Sequence, residues 1–538
     1  MKAYLLYAQR EWANTAHYSD QQSIVKDLGL NTLFQAAAKE IEKEDGKVMR
    51  IQEADVFLAD AMRQVMLVPL ETESEIRYRQ EILRDCLNDE ALIRELYELS
   101  SDILVRWDKL GRRANAKAGD RTSVRSLITE IHVLRLFVDG LCKLRDILTS
   151  HELRAKGLLE LRARLLEEFP ESLEKAMSGI LKDLAFYANG KEHDKNVSER
   201  LVNKPRIVLG CGIGEGLKLD GFCLEQVSTE VRKHRDPNGT LGRMQDYWSS
   251  LTTDFISVQK DMALSRDADY MEQQVVSYVL SRCLPFRLAF SGFFDQLRIQ
   301  CAFYRGAVNL KHYMERFGVK SCFPAVGAQD GLKFRELREF VMAIEQRICP
   351  VGNTCDIEKK MLLIVTGANQ GGKSTFLRSI GIAQIMMQCG LTVAAEEYES
   401  GIYPSLFTHF TRREDSEMNS GRLDEELARM SRIVDNLGKS PMVLLNESFA
   451  TTTEKEGSVI AYDIIRALTE AGVRVLTVTH LLSFARKIYG ETKGKDGSGV
   501  EFLCAERMKN GRRTFRMIQH EPELTSFGLD LYEEIIGS

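Results

Sequence analysis

Residues 367–375 read Gly367-Ala368-Asn369-Gln370-Gly371-Gly372-Lys373-Ser374-Thr375, and the apolar run Met361-Leu362-Leu363-Ile364-Val365 stands immediately before them. An apolar strand that opens into a glycine-rich turn ending in Lys-Ser-Thr is the P-loop pattern. Its glycines let successive backbone N–H groups point inward at a phosphate, Lys373 adds a point charge to the β/γ oxygens, and the Ser374 hydroxyl is placed to ligate magnesium. The helix expected from about Thr375 to Cys389 adds its positive dipole end. The pattern predicts nucleoside triphosphate binding. The competing reading, a glycine-rich turn with no ligand, is disfavoured by the strand-loop-helix context.

Binding alone is not hydrolysis, which also needs a magnesium shell and a group that activates water. The apolar strand Pro441-Met442-Val443-Leu444-Leu445 ends in Asn446-Glu447, where a Walker B Asp-Glu pair is expected. Glu447 is the candidate general base. Asn446 is the anomaly: its amide oxygen accepts a hydrogen bond from a magnesium-bound water but brings no negative charge, so magnesium is expected to be held less tightly. Thr479-His480 closes the next strand and fits a γ-phosphate sensor, read as a neutral imidazole.

The rest of the chain sets limits. At 538 residues it is too long for one core and suggests about three or four domains. With 44% hydrophobic residues, 28% charged and a formal net charge of −5, it reads as folded, without the basic excess that advertises nucleic acid. The eleven cysteines form no CxxC pair, and the N-terminus lacks a signal-peptide core. A reduced, cytoplasmic protein is expected, with no membrane span.

Gln52 to Leu184 carries long helical periodicity. After a polar break at 187–204, Arg206–Leu209 and Gly221–Val227 suggest a small β element flanking Gly210-Cys211-Gly212-Ile213-Gly214-Glu215-Gly216. A dinucleotide-binding turn is declined there, because Glu215 and Leu217 break the glycine frame; a hairpin or flexible turn is preferred. Helical periodicity returns from about Leu241 to Arg316. From about Ser321 short strands alternate with helices, as around a mostly parallel sheet, and Val500–Cys504 with Arg513–Ile518 signal a hairpin around Asn510-Gly511.

Together these residues resemble the ATPase domain of the MutS family, within the wider ABC ATPase class. The family's GPNxGGKST appears as GANQGGKST, its strand-DE and GTST-like turn as LLNESFATTTEKEG, and its ATH motif as Val478-Thr479-His480. Its STFMxE signature is matched at Ser420 and Glu425, and Ser526-Phe527-Gly528 is similar to its SYG segment. Phe57 to Cys86 resembles the family's helical core. The resemblance implies a multidomain protein: an all-α core/lever region plus a C-terminal α/β P-loop ABC-type ATPase domain. The expected segments are 1–190 and 241–320 for core and lever, 191–240 for a linker with the β element, and 321–538 for the ATPase. It further implies ATP and Mg2+ as cofactors, a homodimer in which Ser420 acts in trans on the partner's nucleotide, and Glu425 supporting that segment. No room is expected for mismatch-reading, connector or nuclease-like domains.

For partners, branched or distorted DNA is the leading expectation, with contacts from Arg112-Arg113, Lys117, Arg121, Arg125 or Arg232 to Arg235. Taken by themselves, these clusters read more readily as ordinary solvated helix faces or loops, and any phosphate contacts they make would be salt-dependent and sequence-blind. A nucleotide-dependent scaffold with little turnover, or an ATPase acting on structured RNA or ribosomes, remains the alternative.

Overall fold

The computed structural model describes residues 2–8, 17–44, 47–51, 55–115, 124–192, 206–213, 219–228, 262–357, 359–411, 421–495, 499–508 and 513–522. They belong to two compact units. One is made of residues 1–3, 95–152 and 160–298, the other of 4–94, 153–159 and 299–538.

The first unit is helical, as the periodicity predicts. Its helices Val124–Ser150 and Glu171–Glu192 pack side by side, pinned by Arg145 against Glu174 at 2.7 Å. Aromatic residues at helical spacing build the interior: Phe137 stacks on Phe294 at 6.0 Å and lies 6.2 Å from Trp107. Gly140 lets the helices close in here: a Cβ would run into Ile103 Cδ1 and stand 3.1 Å from the Phe294 ring. Strands Arg206–Ile213 and Leu219–Ser228 pair antiparallel, so the first half of the glycine stretch is strand, and the dinucleotide turn was rightly declined. The final helix runs Met262–Arg316 through Pro285; residues 241–261 of the expected helical segment lie outside the described residues. So do Lys117, Arg121 and Arg232–Arg235, while Arg112 and Arg113 fall on helix Glu90–Asn115 and Arg125 on Val124–Ser150.

The second unit carries the sheets. Six strands lie in the order Ser405–Phe410, Pro441–Asn446, Arg474–Val478, Leu362–Thr366, Val500–Arg507, Arg513–Gln519. The first five are mutually parallel and the last turns back antiparallel, which gives the expected hairpin. Strands Leu362–Thr366, Ser405–Phe410 and Arg474–Val478 are buried end to end, the signature of a sheet covered on both faces. One face packs Val443, Leu445, Ile364 and Val475 against Met430, Ile433, Ala461, Ile465 and Phe484 of three helices. On the other lies helix Lys373–Gln388, where Gly381 allows contact with Leu444 and with Leu28 of helix Gln21–Leu28: a Cβ there would meet their methyls at 2.7 and 2.8 Å. A second, four-stranded sheet in the order Ala325–Val326, Glu397–Ser400, Leu332–Leu337, Asn353–Ile357 adjoins it. Asn353 joins the two sheets by accepting from Met517 N–H at 2.7 Å and donating to Phe515 O at 3.3 Å.

The whole is helix-rich with mixed α/β sheets. The helix after the glycine loop begins at Lys373 rather than Thr375. Its N-cap is Gly372 at φ 89°, a left-handed position that glycine takes without steric cost, so the first turn starts two residues earlier than side-chain periodicity shows.

Candidate functional site

Parallel strands bring their carboxyl ends to one edge. The register sets Asn446 opposite Val478, and Val478 opposite Val365, so Asn446-Glu447, Thr479-His480 and the loop at Gly367 emerge side by side. Strands Pro441–Asn446 and Leu362–Thr366 are two spacings apart, roughly 10 Å. That edge, at a crevice outside the strand ends, is where open α/β sheets place ligands.

The loop is built on its backbone. Gly367 adopts φ 114°, Gln370 φ 60° and Gly372 φ 89°. Gly371 N–H closes the turn on Ala368 O at 3.2 Å. A Cβ on Gly367 would lie 2.8 Å from Ala505 N, and one on Gly371 2.8 Å from the Ala505 methyl; the neighbouring strand leaves no room for side chains. Lys373 is buried, its ammonium donating to Gly367 O at 2.8 Å and Ala368 O at 3.1 Å. Arg513 of the antiparallel strand donates to Gln370 Oε1 at 2.9 Å.

A cavity of about 540 Å³ opens over this loop. Asn369, Gln370, Gly371, Gly372, Lys373, Ser374, Thr375 and Glu447 all line it. Gly367 and Ala368 enter through the carbonyls that hold Lys373. The opposite wall is apolar, from Met342, Ile348, Val351 and Phe515. That wall has no local sequence signal: it comes from residues more than 160 positions apart, brought together by Asn353. Glu339 also lines it, its carboxyl pushed up by burial against the opposing pull of Arg378 at 3.2 Å.

Glu447 follows the strand in a left-handed turn, φ 56°. Its carboxylate pairs directly with His480 Nδ1. This hydrogen bond raises the imidazole pKa above its ordinary value, outweighing partial burial and the opposing charge of Lys373. The ring expected as a neutral imidazole is therefore pulled towards its protonated form by the Glu447 carboxylate. In this pairing the residues expected to serve as base and as sensor engage each other.

Asn446 presents the sharpest polar anomaly. Its Oδ1 is buried with no hydrogen-bond partner among the described residues, and such an acceptor normally finds a donor. Ser374 is half-buried on the cavity wall. An amide oxygen and a hydroxyl are hard oxygen donors that suit magnesium held largely through water.

The signature segments are described only in part. Ser420 and Ser526-Phe527-Gly528 lie outside the described residues. Of the acidic pair on helix Arg422–Asp435, Glu426 rather than Glu425 turns inward. Glu426, Arg429, Met430 and Ile433 share the buried face, at i, i+3, i+4 and i+7, and Glu425 is one step out of phase. That phase was readable from the sequence. Glu426 accepts from Phe449 N–H at 2.9 Å and from the Thr451 hydroxyl at 3.2 Å, and burial raises its pKa against those bonds.

Comparison with known proteins bears on this site and on the helices. The family model for MutS domain V matches residues 363–533, and that for the MutS2 N-terminal domain matches residues 71–317. Endonuclease MutS2 of Lacticaseibacillus paracasei is 26% identical over 269 residues, 48% of this chain and 33% of that protein. Endonuclease MutS2 of Caldanaerobacter subterraneus subsp. tengcongensis is 30% identical over 180 residues, 32% of this chain and 22% of that protein. MutS protein homolog 4 of Mus musculus is 34% identical over 134 residues, 25% of this chain and 14% of that protein. The matches span a third or less of these relatives' own length.

Proposed function

Because the chain is a MutS-related protein, matched at its helical region and at its sheet domain alike, we propose that it is an ATPase that couples nucleotide turnover to binding of DNA. The observation that carries this reading is one cavity lined by both the Lys373 loop and Glu447. In this reading residues 321–538 are a P-loop ATPase domain of the ABC type, and 1–190 and 241–320, with the linker 191–240, are core and lever.

Each residue then has a task. The loop amides and the end of helix Lys373–Gln388 hold the phosphates. Lys373 exchanges its bonds to Gly367 O and Ala368 O for the β/γ oxygens. Phe515, Met342 and Ile348 offer the apolar wall that an adenine ring fills, with stacking on Phe515. Magnesium, held by Ser374 and through water by Asn446, would neutralise charge developing on the phosphates. Glu447 accepts the proton of the attacking water, and it does so once His480 leaves its carboxylate for the γ-phosphate. An imidazole N–H of His480 then donates to the γ-phosphate oxygen.

The same pairing supports a second reading, a nucleotide-dependent switch with little turnover, in which His480 stays on Glu447 and Asn446 holds magnesium weakly. The homodimer, the trans role of Ser420 and nucleic-acid contacts from the basic clusters belong to the proposal. Phosphate release by the purified chain, with Lys373→Ala as control, separates ATPase from switch. Binding to duplex DNA, branched DNA and structured RNA across a salt titration tests the partner, since phosphate contacts weaken steeply with salt. Preference for RNA at every salt concentration would overturn the DNA assignment.

A further inference from the structure

The turn that carries Glu447 needs an external hold. Glu447 at φ 56° and Phe449 at φ 65° are both left-handed without being glycine, and such residues persist only where the surroundings over-determine them. On one side the turn is fixed by Glu447 N–H donating to Val478 O at 2.9 Å. On the other stands Thr411, whose hydroxyl is 2.6 Å from Glu447 O, 3.3 Å from Asn446 O and 3.5 Å from Glu426 Oε1. A hydroxyl has one proton to give, and the shortest contact takes it, so Thr411 serves Glu447 O.

Two further donors of the turn, the Phe449 N–H and the Thr451 hydroxyl, fall to Glu426. Phe449 is fully buried, so its N–H has no recourse to water, and the Glu426 carboxylate accepts it together with the Thr451 hydroxyl. The Phe449 ring is packed against His409 at 5.8 Å, and Ser448 donates to His409 O at 2.9 Å. Glu426 is absent from the cavity wall. It touches the turn that carries Glu447, not the cavity.

We propose that Glu426 is a positioning residue for Glu447. Its carboxylate, presented by helix Arg422–Asp435, locks the Phe449–Thr451 segment so that the Glu447 carboxylate faces the cavity. It therefore controls the rate of hydrolysis and leaves nucleotide affinity alone. The inference rests on the assignment of Glu447 as general base.

The test uses the full chain and the variants Glu426→Ala, Glu426→Gln and Thr451→Val, with Lys373→Ala as the binding control. Phosphate release at saturating MgATP is expected to fall about 10- to 100-fold in Glu426→Ala, about 1.4 to 2.7 kcal/mol of activation free energy. KM, and the Kd of a fluorescent ATP analogue, should stay within about twofold, the mark of an interaction used in the transition state only. Glu426→Gln keeps an oxygen for Phe449 N–H and should recover most of the rate, and Thr451→Val should lose less than Glu426→Ala. A KM that rises in step with the loss of rate, or an unchanged rate, overturns the proposal.

Hydrogen exchange in nucleotide-free protein gives a readout that does not depend on turnover. Amides 446–453 should exchange faster in Glu426→Ala, and to a smaller degree in Glu426→Gln, while the peptide 373–388 is unchanged. Unchanged exchange at 446–453 refutes the hold of Glu426 on the turn, whatever the enzyme does. A wild type that releases no phosphate, with exchange responding as expected, instead sinks the ATPase reading and leaves the hold intact.

Discussion

Replacing Gly367 by alanine probes the loop where its backbone geometry is most demanding. The residue sits at φ 114°, a region that costs an L side chain roughly 1–3 kcal/mol. Its new Cβ would also stand 2.8 Å from Ala505 N and 3.1 Å from Ala505 Cβ, which are atoms of a central strand with no flexible end to swing away. Overpacking of this kind adds roughly 1–3 kcal/mol, so the variant should lose about 2–6 kcal/mol together. Part of that strain is relieved by moving Gly367 O, to which the Lys373 ammonium donates at 2.8 Å, so the cation is displaced as well. With a urea slope of about 3 kcal/mol per molar, the unfolding midpoint should fall by roughly 1 M. The Kd for ATP should rise at least about tenfold. A midpoint within about 0.2 M of wild type, together with an unchanged Kd, would refute the claim that the loop is held rigid against the strand at Ala505.

Two further outcomes follow from the same geometry. Asn446→Asp adds a charge where a buried amide oxygen now lacks a partner, and the magnesium concentration for half-maximal phosphate release should fall by about tenfold, since carboxylates hold this hard cation better than amides; an unchanged magnesium dependence removes Asn446 from the metal site. His480, raised by its hydrogen bond to Glu447, should titrate by NMR above the ordinary value of about 6.5 and return towards it in Glu447→Gln. Because the folded-state pKa is the higher one, the pair stabilises the fold fully below about pH 6.5, and that contribution is lost as pH rises through the folded value. A midpoint at or below the ordinary value contradicts the pairing.

The parts of the site that were legible in the sequence are those whose chemistry is local. A loop needing left-handed backbone at positions 367 and 372 has to spell itself with glycine. A buried parallel strand such as Pro441–Asn446 has to be apolar until it reaches the edge, so Asn446-Glu447 stands out. The hairpin Val500–Arg507 with Arg513–Gln519 was announced by its turn residues. What stayed hidden depends on residues far apart in the chain. The apolar cavity wall exists only because Asn353 joins two sheets and carries Phe515 over Gly372. The charge preference of His480 comes from a carboxylate on the neighbouring strand, and its motif alone is silent on it. Glu426 lay between these cases: helical phase distinguishes it from Glu425, yet what it does is visible only once Phe449 is seen to turn its N–H inward.

The central claim is that the Lys373 loop and Glu447 form one catalytic site. It is tested most directly by steady-state phosphate release from wild type and Glu447→Gln across a range of magnesium, with ATP binding measured on both. The account predicts turnover by wild type, a loss of at least about 100-fold in Glu447→Gln, in line with removal of a general base, and equal ATP affinity. If wild type and Glu447→Gln are equally inactive in phosphate release at every magnesium concentration while both bind ATP, Glu447 does not act as a base and the site is a nucleotide switch.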